Sequence, residues 1–123
     1  MCSPGNHVVL NRTRNVCLGD RIQIADTTLS RFIGLLGRRN LMPSEGLLIE
    51  PSNGVHTVGM RFPIDVLLLS RERVVLARYD SMPPFRVTRL NWKAASALEL
   101  PAGICARTGT AVGDKLTIES VSD

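Results

Sequence analysis

Ile64-Asp65-Val66-Leu67-Leu68-Leu69 runs into the turn Ser70-Arg71-Glu72 and then into Arg73-Val74-Val75-Leu76-Ala77-Arg78-Tyr79. The first six residues are apolar on both faces of an extended chain except at Asp65. That is the pattern of a strand lying centrally in a sheet with cover on each side. The turn sends the chain back antiparallel and gives the clearest hairpin of the sequence. A carboxylate within such a strand is strongly disfavoured unless it is paired or hydrogen-bonded, so Asp65 needs donors.

Further strands are expected on either side of this hairpin. Val8–Leu10, Arg21–Ala25, Gly46–Glu50, Val55–Met60, Phe85–Leu90, Ser96–Leu100 and a last strand through Leu116 and Ile118 are short and bounded by turn residues. Asp80–Pro84 reads as a loop, because two prolines remove two donors. One helix is predicted between an N-cap at Asp26-Thr27-Thr28 and a stop at Gly37, with Leu29, Phe32, Ile33 and Leu36 on one face. A short helical turn over Ile104–Thr108 should end at Gly109. The expected class is mainly β (α+β): a small β-sandwich or partly open barrel of about eight short strands with one α-helix and a short helical turn, in a single domain over residues 1–123.

Apolar residues form 44% of the chain and charged residues 21%, the balance of a globular protein rather than a disordered one. The net charge of +4 is mild. Thirteen of the 15 basic residues are arginine, which suits forked contacts to carboxylate or phosphate, although genomic base composition produces the same skew. Cys2, Cys17 and Cys105 make no C-x-x-C pair. Their odd count points to free thiols in a reducing compartment, and a zinc site built from them with His7 and His56 lacks paired-ligand spacing, so no metal or cofactor is expected. Val8-Val9-Leu10 is too short for a signal sequence and Val66–Leu69 far too short for a membrane span, so a cytoplasmic protein is expected.

The candidate chemistry gathers around His56-Thr57-Val58-Gly59-Met60-Arg61-Phe62-Pro63-Ile64-Asp65. Asp65 either accepts backbone N–H groups from the turn at Arg61–Pro63, pairs with Arg61 or Arg31, or acts with His56 as an acid/base couple. No G-x-S-x-G elbow supplies a nucleophile for such a couple. Met60 is core filler before it is a soft ligand. Glu99 reads most simply as solvated. In the functional alternative it joins Asp65 and His56 around one polar pocket, with Arg31 and Arg61 as anion-binding forks.

Three segments carry a family resemblance: Arg31-Phe32-Ile33-Gly34-Leu35-Leu36-Gly37-Arg38, the stretch from His56 to Val66, and Glu99-Leu100-Pro101-Ala102-Gly103 followed by Gly113-Asp114. In order and spacing they resemble the family called domain of unknown function 192, over about Thr27 to Ile118. The resemblance implies a mainly β, sandwich-like fold with one helix and no particular reaction. Many members carry an aromatic residue and a lysine-asparagine pair where this chain has His56-Thr57 and Met60-Arg61-Phe62, which marks a sub-branch. Some relatives are exported.

The leading expectation is therefore a module that binds a small anionic ligand or a peptide in a polar cleft near His56–Asp65, through Arg31, His56, Met60, Arg61, Asp65 and Glu99. A hydrolase using His56 and Asp65 is the second reading. The third is a nucleic-acid-binding accessory protein using Arg71, Arg73, Arg78, Arg86, Arg89 and Lys93 with Tyr79, Phe85 and Trp92 interleaved. Against the third, aromatic residues are only 4% of the chain and Glu72 and Asp80 interrupt the basic run, so a solvated basic face outweighs it. No membrane partner is expected, and the state is monomer or weak dimer.

Overall fold

The structure, a computed structural model, describes residues 7–25, 41–55, 57 and 61–120. The helix expected between Thr28 and Gly37 lies outside these residues. The described chain forms seven strands and one short helix. They are β1 (His7–Asn11), β2 (Val16–Ala25), β3 (Glu45–Ile49), β4 (Ile64–Leu69), β5 (Val75–Met82), β6 (Ser96–Pro101), α1 (Ile104–Thr108) and β7 (Leu116–Ser120). All seven strands belong to one sheet of order β5-β4-β6-β3-β2-β1-β7. Only β2 and β3 run parallel.

β4 is buried at every position, as its two-sided apolar pattern requires. Its neighbours are β5, reached through the Ser70–Arg73 turn, and β6. The sheet curls until its two edges meet: Val74 bridges Lys115, and the Leu116 N–H donates to the Arg73 carbonyl at 2.9 Å. The result is a half-closed barrel, the partly open form of the expected class.

Curling gives the sheet two unlike faces. The inner cluster draws Val9, Leu18, Ile22, Leu48, Leu67, Leu69, Val75, Leu98, Leu100 and Leu116 from all seven strands, and Cys105 of α1 joins it. The outer cluster involves mainly β3, β4 and β6, where Leu47, Ile49, Ile64, Val66, Leu68 and Ala97 pack beneath Leu41, Val55 and Phe62. Gly46 is what lets β3 sit so close to its neighbours: a Cβ there would lie 2.8 Å from the Glu99 carbonyl and 2.7 Å from Ile22 Cδ1.

Three local expectations change. β5 continues through Asp80 and Ser81 to Met82, because a bulge against β4 and a positive φ of 46° at Ser81 absorb the irregularity before Pro83. Val55 and Thr57 belong to no named strand; they hydrogen-bond instead to Thr88 and Arg86, outside the sheet ladder. Phe85–Leu90 is likewise not among the named strands: among the described residues its backbone pairs with that segment, and Phe85 has a φ of 63°.

Candidate functional site

Asp65 is fully buried on the inner face, and its donors come from far along the chain. Oδ1 accepts the backbone N–H of Ser81 at 2.7 Å and that of Gly103 at 3.1 Å, while Oδ2 accepts that of Cys105 at 2.9 Å. The expectation of backbone donors is right in kind and wrong in source: they lie on the β5 bulge and at the start of α1, not in the Arg61–Pro63 turn. Gly103 adopts a φ of 97° just before the helix, a conformation that leaves its N–H and that of Cys105 aimed at one carboxylate. Asp65 thus fastens α1 over the end of the half-barrel.

Ligand atoms of Asp65, Asp80 and Cys105 all lie within 4.8 Å of one another, a separation that would suit a cation. The chemistry of the trio does not fit one. Both oxygens of Asp65 already face N–H donors, and both of Asp80 accept from the Arg78 guanidinium, with Nη2 at 2.6 Å. Hydrogen bonding to Arg78 holds the Asp80 carboxyl below its ordinary range despite partial desolvation. The Cys105 thiol is pushed far up, first by burial and then by the charge and hydrogen bond of Asp65, so it stays protonated and non-nucleophilic at neutral pH. An anchored thiol results.

Glu99 is also fully buried, which overturns its reading as a solvated residue. Register puts Val66 opposite Glu99 and Leu100 opposite Asp65. Neighbouring residues on a strand project to opposite faces, so Asp65 enters the inner cluster while Glu99 shares the outer face with Val66 and Ala97. The two carboxylates cannot line one pocket. Arg61 is exposed, whereas Asp65 is sealed. Arg31, His56 and Met60 lie outside the described residues. The described residues on either side of His56, Val55 and Thr57, hydrogen-bond to Thr88 and Arg86, and the strands that flank β4 are β5 and β6.

A third buried carboxylate, Asp114, ties the loop between α1 and β7 to β1 and the β1–β2 turn. Its Oδ2 accepts from Asn11 Nδ2 at 2.9 Å, the Ala111 N–H at 3.0 Å and Arg14 Nε at 3.0 Å, and Asn11 Nδ2 also donates to Thr110 Oγ1. Burial works to raise this carboxyl, but the Arg14, Asn11 and Ala111 hydrogen bonds outweigh it and leave the group below its ordinary value. Nothing in the residues short of the Gly113-Asp114 resemblance signalled this knot.

The described surface offers something different between Phe85 and Lys93. Phe85, Val87, Leu90 and Trp92 are 68%, 71%, 77% and 86% exposed. Arg86, Arg89 and Lys93 alternate with them, and no carboxylate occurs from Ser81 to Leu98. The ribbon is held from below: Thr57 donates to and accepts from the Arg86–Phe85 backbone, the Thr88 N–H donates to Val55, and the Arg89 N–H donates to the Tyr79 hydroxyl. Gly54 lies under Leu90, whose Cδ2 would be 3.0 Å from a Cβ there. Lys93 Nζ stands 5.4 Å from the centre of the Trp92 ring. The sequence shows the basic residues of this ribbon; it does not show that Val87 and Leu90 face solvent.

Beyond Trp92 the ribbon meets a shallow depression of about 470 Å³ lined by Pro51, Ser52, Asn53, Arg71, Ala94 and Ala95. No helix among the described residues is long and apolar enough to cross a membrane.

The fold and these motifs together define a family. The chain belongs to the domain of unknown function 192 family, described as an uncharacterized ACR, whose pattern matches residues 9–118. No curated protein matches the sequence. Among solved structures, a protein of unknown function from Novosphingobium aromaticivorans DSM 12444 is similar over 91% of this chain and 83% of its own, with a TM-score of 0.76 and 21% identity. A proposed transcription regulator from Sinorhizobium meliloti 1021 is similar over 94% of this chain and 93% of its own, with a TM-score of 0.71 and 20% identity. At such identities the likeness establishes the shared fold and nothing of the activity.

Proposed function

We propose that this protein is a peptide-binding module, and that an extended, apolar and acidic segment of a partner protein lies along the Phe85–Lys93 ribbon. One observation carries the reading: four large apolar side chains, each more than two-thirds exposed, stand among three cations on a stretch with no carboxylate between Ser81 and Leu98. So many large apolar side chains exposed within eight residues of chain favour an interaction site. The cations select an acidic occupant and oppose a basic one. The binding centre moves away from the expected His56–Asp65 cleft, because the Asp65 carboxylate is consumed by backbone donors. For the same reason a His56/Asp65 hydrolase finds no support, and the raised Cys105 thiol offers no nucleophile in its place.

A single-stranded nucleic acid would use the same cations. Val87 and Leu90 argue for peptide: they present aliphatic surface where base stacking needs rings, and only Phe85 and Trp92 are exposed aromatics on the ribbon. The free, exposed thiol of Cys17 and the buried thiol of Cys105 suit the cytoplasm, where we place the protein, as a monomer or weak dimer.

The test uses Trp92, the only tryptophan in the chain, as the reporter. A short acetylated peptide of alternating aspartate and leucine should shift its emission to the blue on binding, and Leu90→Asp should abolish the shift. Binding of oligothymidylate with a steep salt dependence, and none of the peptide, would overturn the reading in favour of nucleic acid.

A further inference from the structure

Arginines near the half-barrel's seams are mostly spoken for. Arg12 pairs with Glu119, Arg14 with Asp114, Arg73 with Glu50 and Arg78 with Asp80. Arg71, on the β4–β5 turn, is exposed and has no carboxylate partner among the described residues. It lines the depression with Asn53, whose side-chain amide makes no hydrogen bond among those residues. Ser52 is already committed, donating to the Gly54 carbonyl at 2.7 Å. The remaining walls, Pro51, Ala94 and Ala95, are small and carry no charge.

The depression is continuous with the ribbon through the backbone. The Asn91 N–H donates to the Asn53 carbonyl at 2.9 Å and the Ser52 N–H to the Ala95 carbonyl at 3.0 Å. Leu90 rests on Gly54, one residue from Asn53. A chain lying over Leu90 and Trp92 therefore runs on into a hollow with a forked cation and an amide donor at its wall, neither held by a described residue. Small alanines leave room there for a small terminal side chain. An oxyanion fits those donors, since a guanidinium fork and an amide N–H match the two oxygens of a carboxylate.

We infer that this depression is a carboxylate subsite in which Arg71 and Asn53 receive the C-terminal carboxylate of the bound segment. The inference rests on the peptide-binding reading above and narrows it to partners recognised at their free C-terminus.

The experiment titrates the full chain, followed by Trp92 emission, with an acetylated peptide of alternating aspartate and leucine ending in alanine. The peptide is prepared once as free acid and once as C-terminal amide, and inorganic phosphate is titrated separately. The free acid should bind roughly tenfold more tightly than the amide, as a charge-assisted pair to arginine warrants. Arg71→Gln, a change on an exposed turn, should erase that difference and leave amide binding as it was. Equal affinities for the two peptides with Arg71 intact would sink the subsite while leaving the ribbon reading in place. If phosphate occupied the site through Arg71 while the two peptides bound alike, the hollow would belong to a free anion instead. Failure of both peptides to bind, by emission and by amide NMR shifts of Phe85–Lys93, would bring down the ribbon reading and the subsite with it.

Discussion

Two regions of this molecule invert the usual distribution of polarity. At the mouth covered by α1, a carboxylate is sealed among leucines; along Phe85–Lys93, large apolar side chains stand in water. The sealed group is satisfied three times over by backbone N–H donors from Ser81, Gly103 and Cys105. The exposed groups remain more than two-thirds solvent-accessible, although Leu90 rests on Gly54. A buried polar group with complete hydrogen bonding is an architectural device, whereas an exposed apolar group with nothing against it is an unfinished contact. That difference is the ground for the peptide-binding proposal, which sets recognition away from the residues with the most conspicuous chemistry.

The largest effect expected from this contrast is on stability. Asp65→Ala should destabilise the fold by about 3–5 kcal/mol, because it strands three buried N–H groups and unfastens α1. Asp65→Asn keeps the shape but turns an amide against N–H donors, and should cost about 1–3 kcal/mol. Urea unfolding measures both. Should Asp65→Ala lose less than about 1 kcal/mol, comparable to an ordinary surface change, the sealed carboxylate would not be the clamp described.

Asp114 should rank next. Asp114→Asn gives up the Arg14 pair and should cost about 1–3 kcal/mol at neutral pH. Its carboxyl is held below its unfolded value near 3.8 in the fold, so its contribution is intact above that pH and lost as the pH falls through the lower, folded value. An acid limb in the urea midpoint should consequently be shallower in Asp114→Asn than in the parent protein. Parallel limbs would show that other carboxyls dominate.

The alkaline limb belongs to Cys105. Its folded thiol titrates far above the unfolded value near 9.0, so the native state retains a proton that the unfolded chain releases. Stability should therefore be level below pH 9.0 as far as this group is concerned and fall above it, by at most about 1.4 kcal/mol per pH unit. Cys105→Ala should flatten that slope at the cost of a small cavity. Reagent accessibility gives an independent check: the exposed Cys17 should react with a thiol reagent in the native protein, and Cys105 only on unfolding.

How much of this could be read from the residues follows a physical line. Ile64–Leu69 declared itself because burial on both faces removes the need for polar alternation, and Ile104–Thr108 because Gly103 and Gly109 bracket it with left-handed backbone. What one strand's periodicity cannot supply is register. Asp65 and Glu99 look like neighbours as members of adjacent strands, yet the pairing of Val66 with Glu99 sends them to opposite faces. Exposure escapes periodicity as well. Phe85 and Val87 share one side in strand alternation and resemble its buried face, yet both stand in solvent.

The smallest stability effect is the most diagnostic one. Leu90→Ser and Trp92→Ala remove side chains that are mostly solvated already, so each should move the urea midpoint by no more than about 0.5 kcal/mol. A core leucine such as Leu68, wholly buried, should cost about 2–5 kcal/mol on truncation to alanine. A near-neutral result is what the peptide-binding proposal expects of side chains turned toward a partner. If instead Leu90→Ser destabilised the fold as a core change does, the Phe85–Lys93 segment would be part of the packing over Gly54, and the contrast between the two regions would collapse.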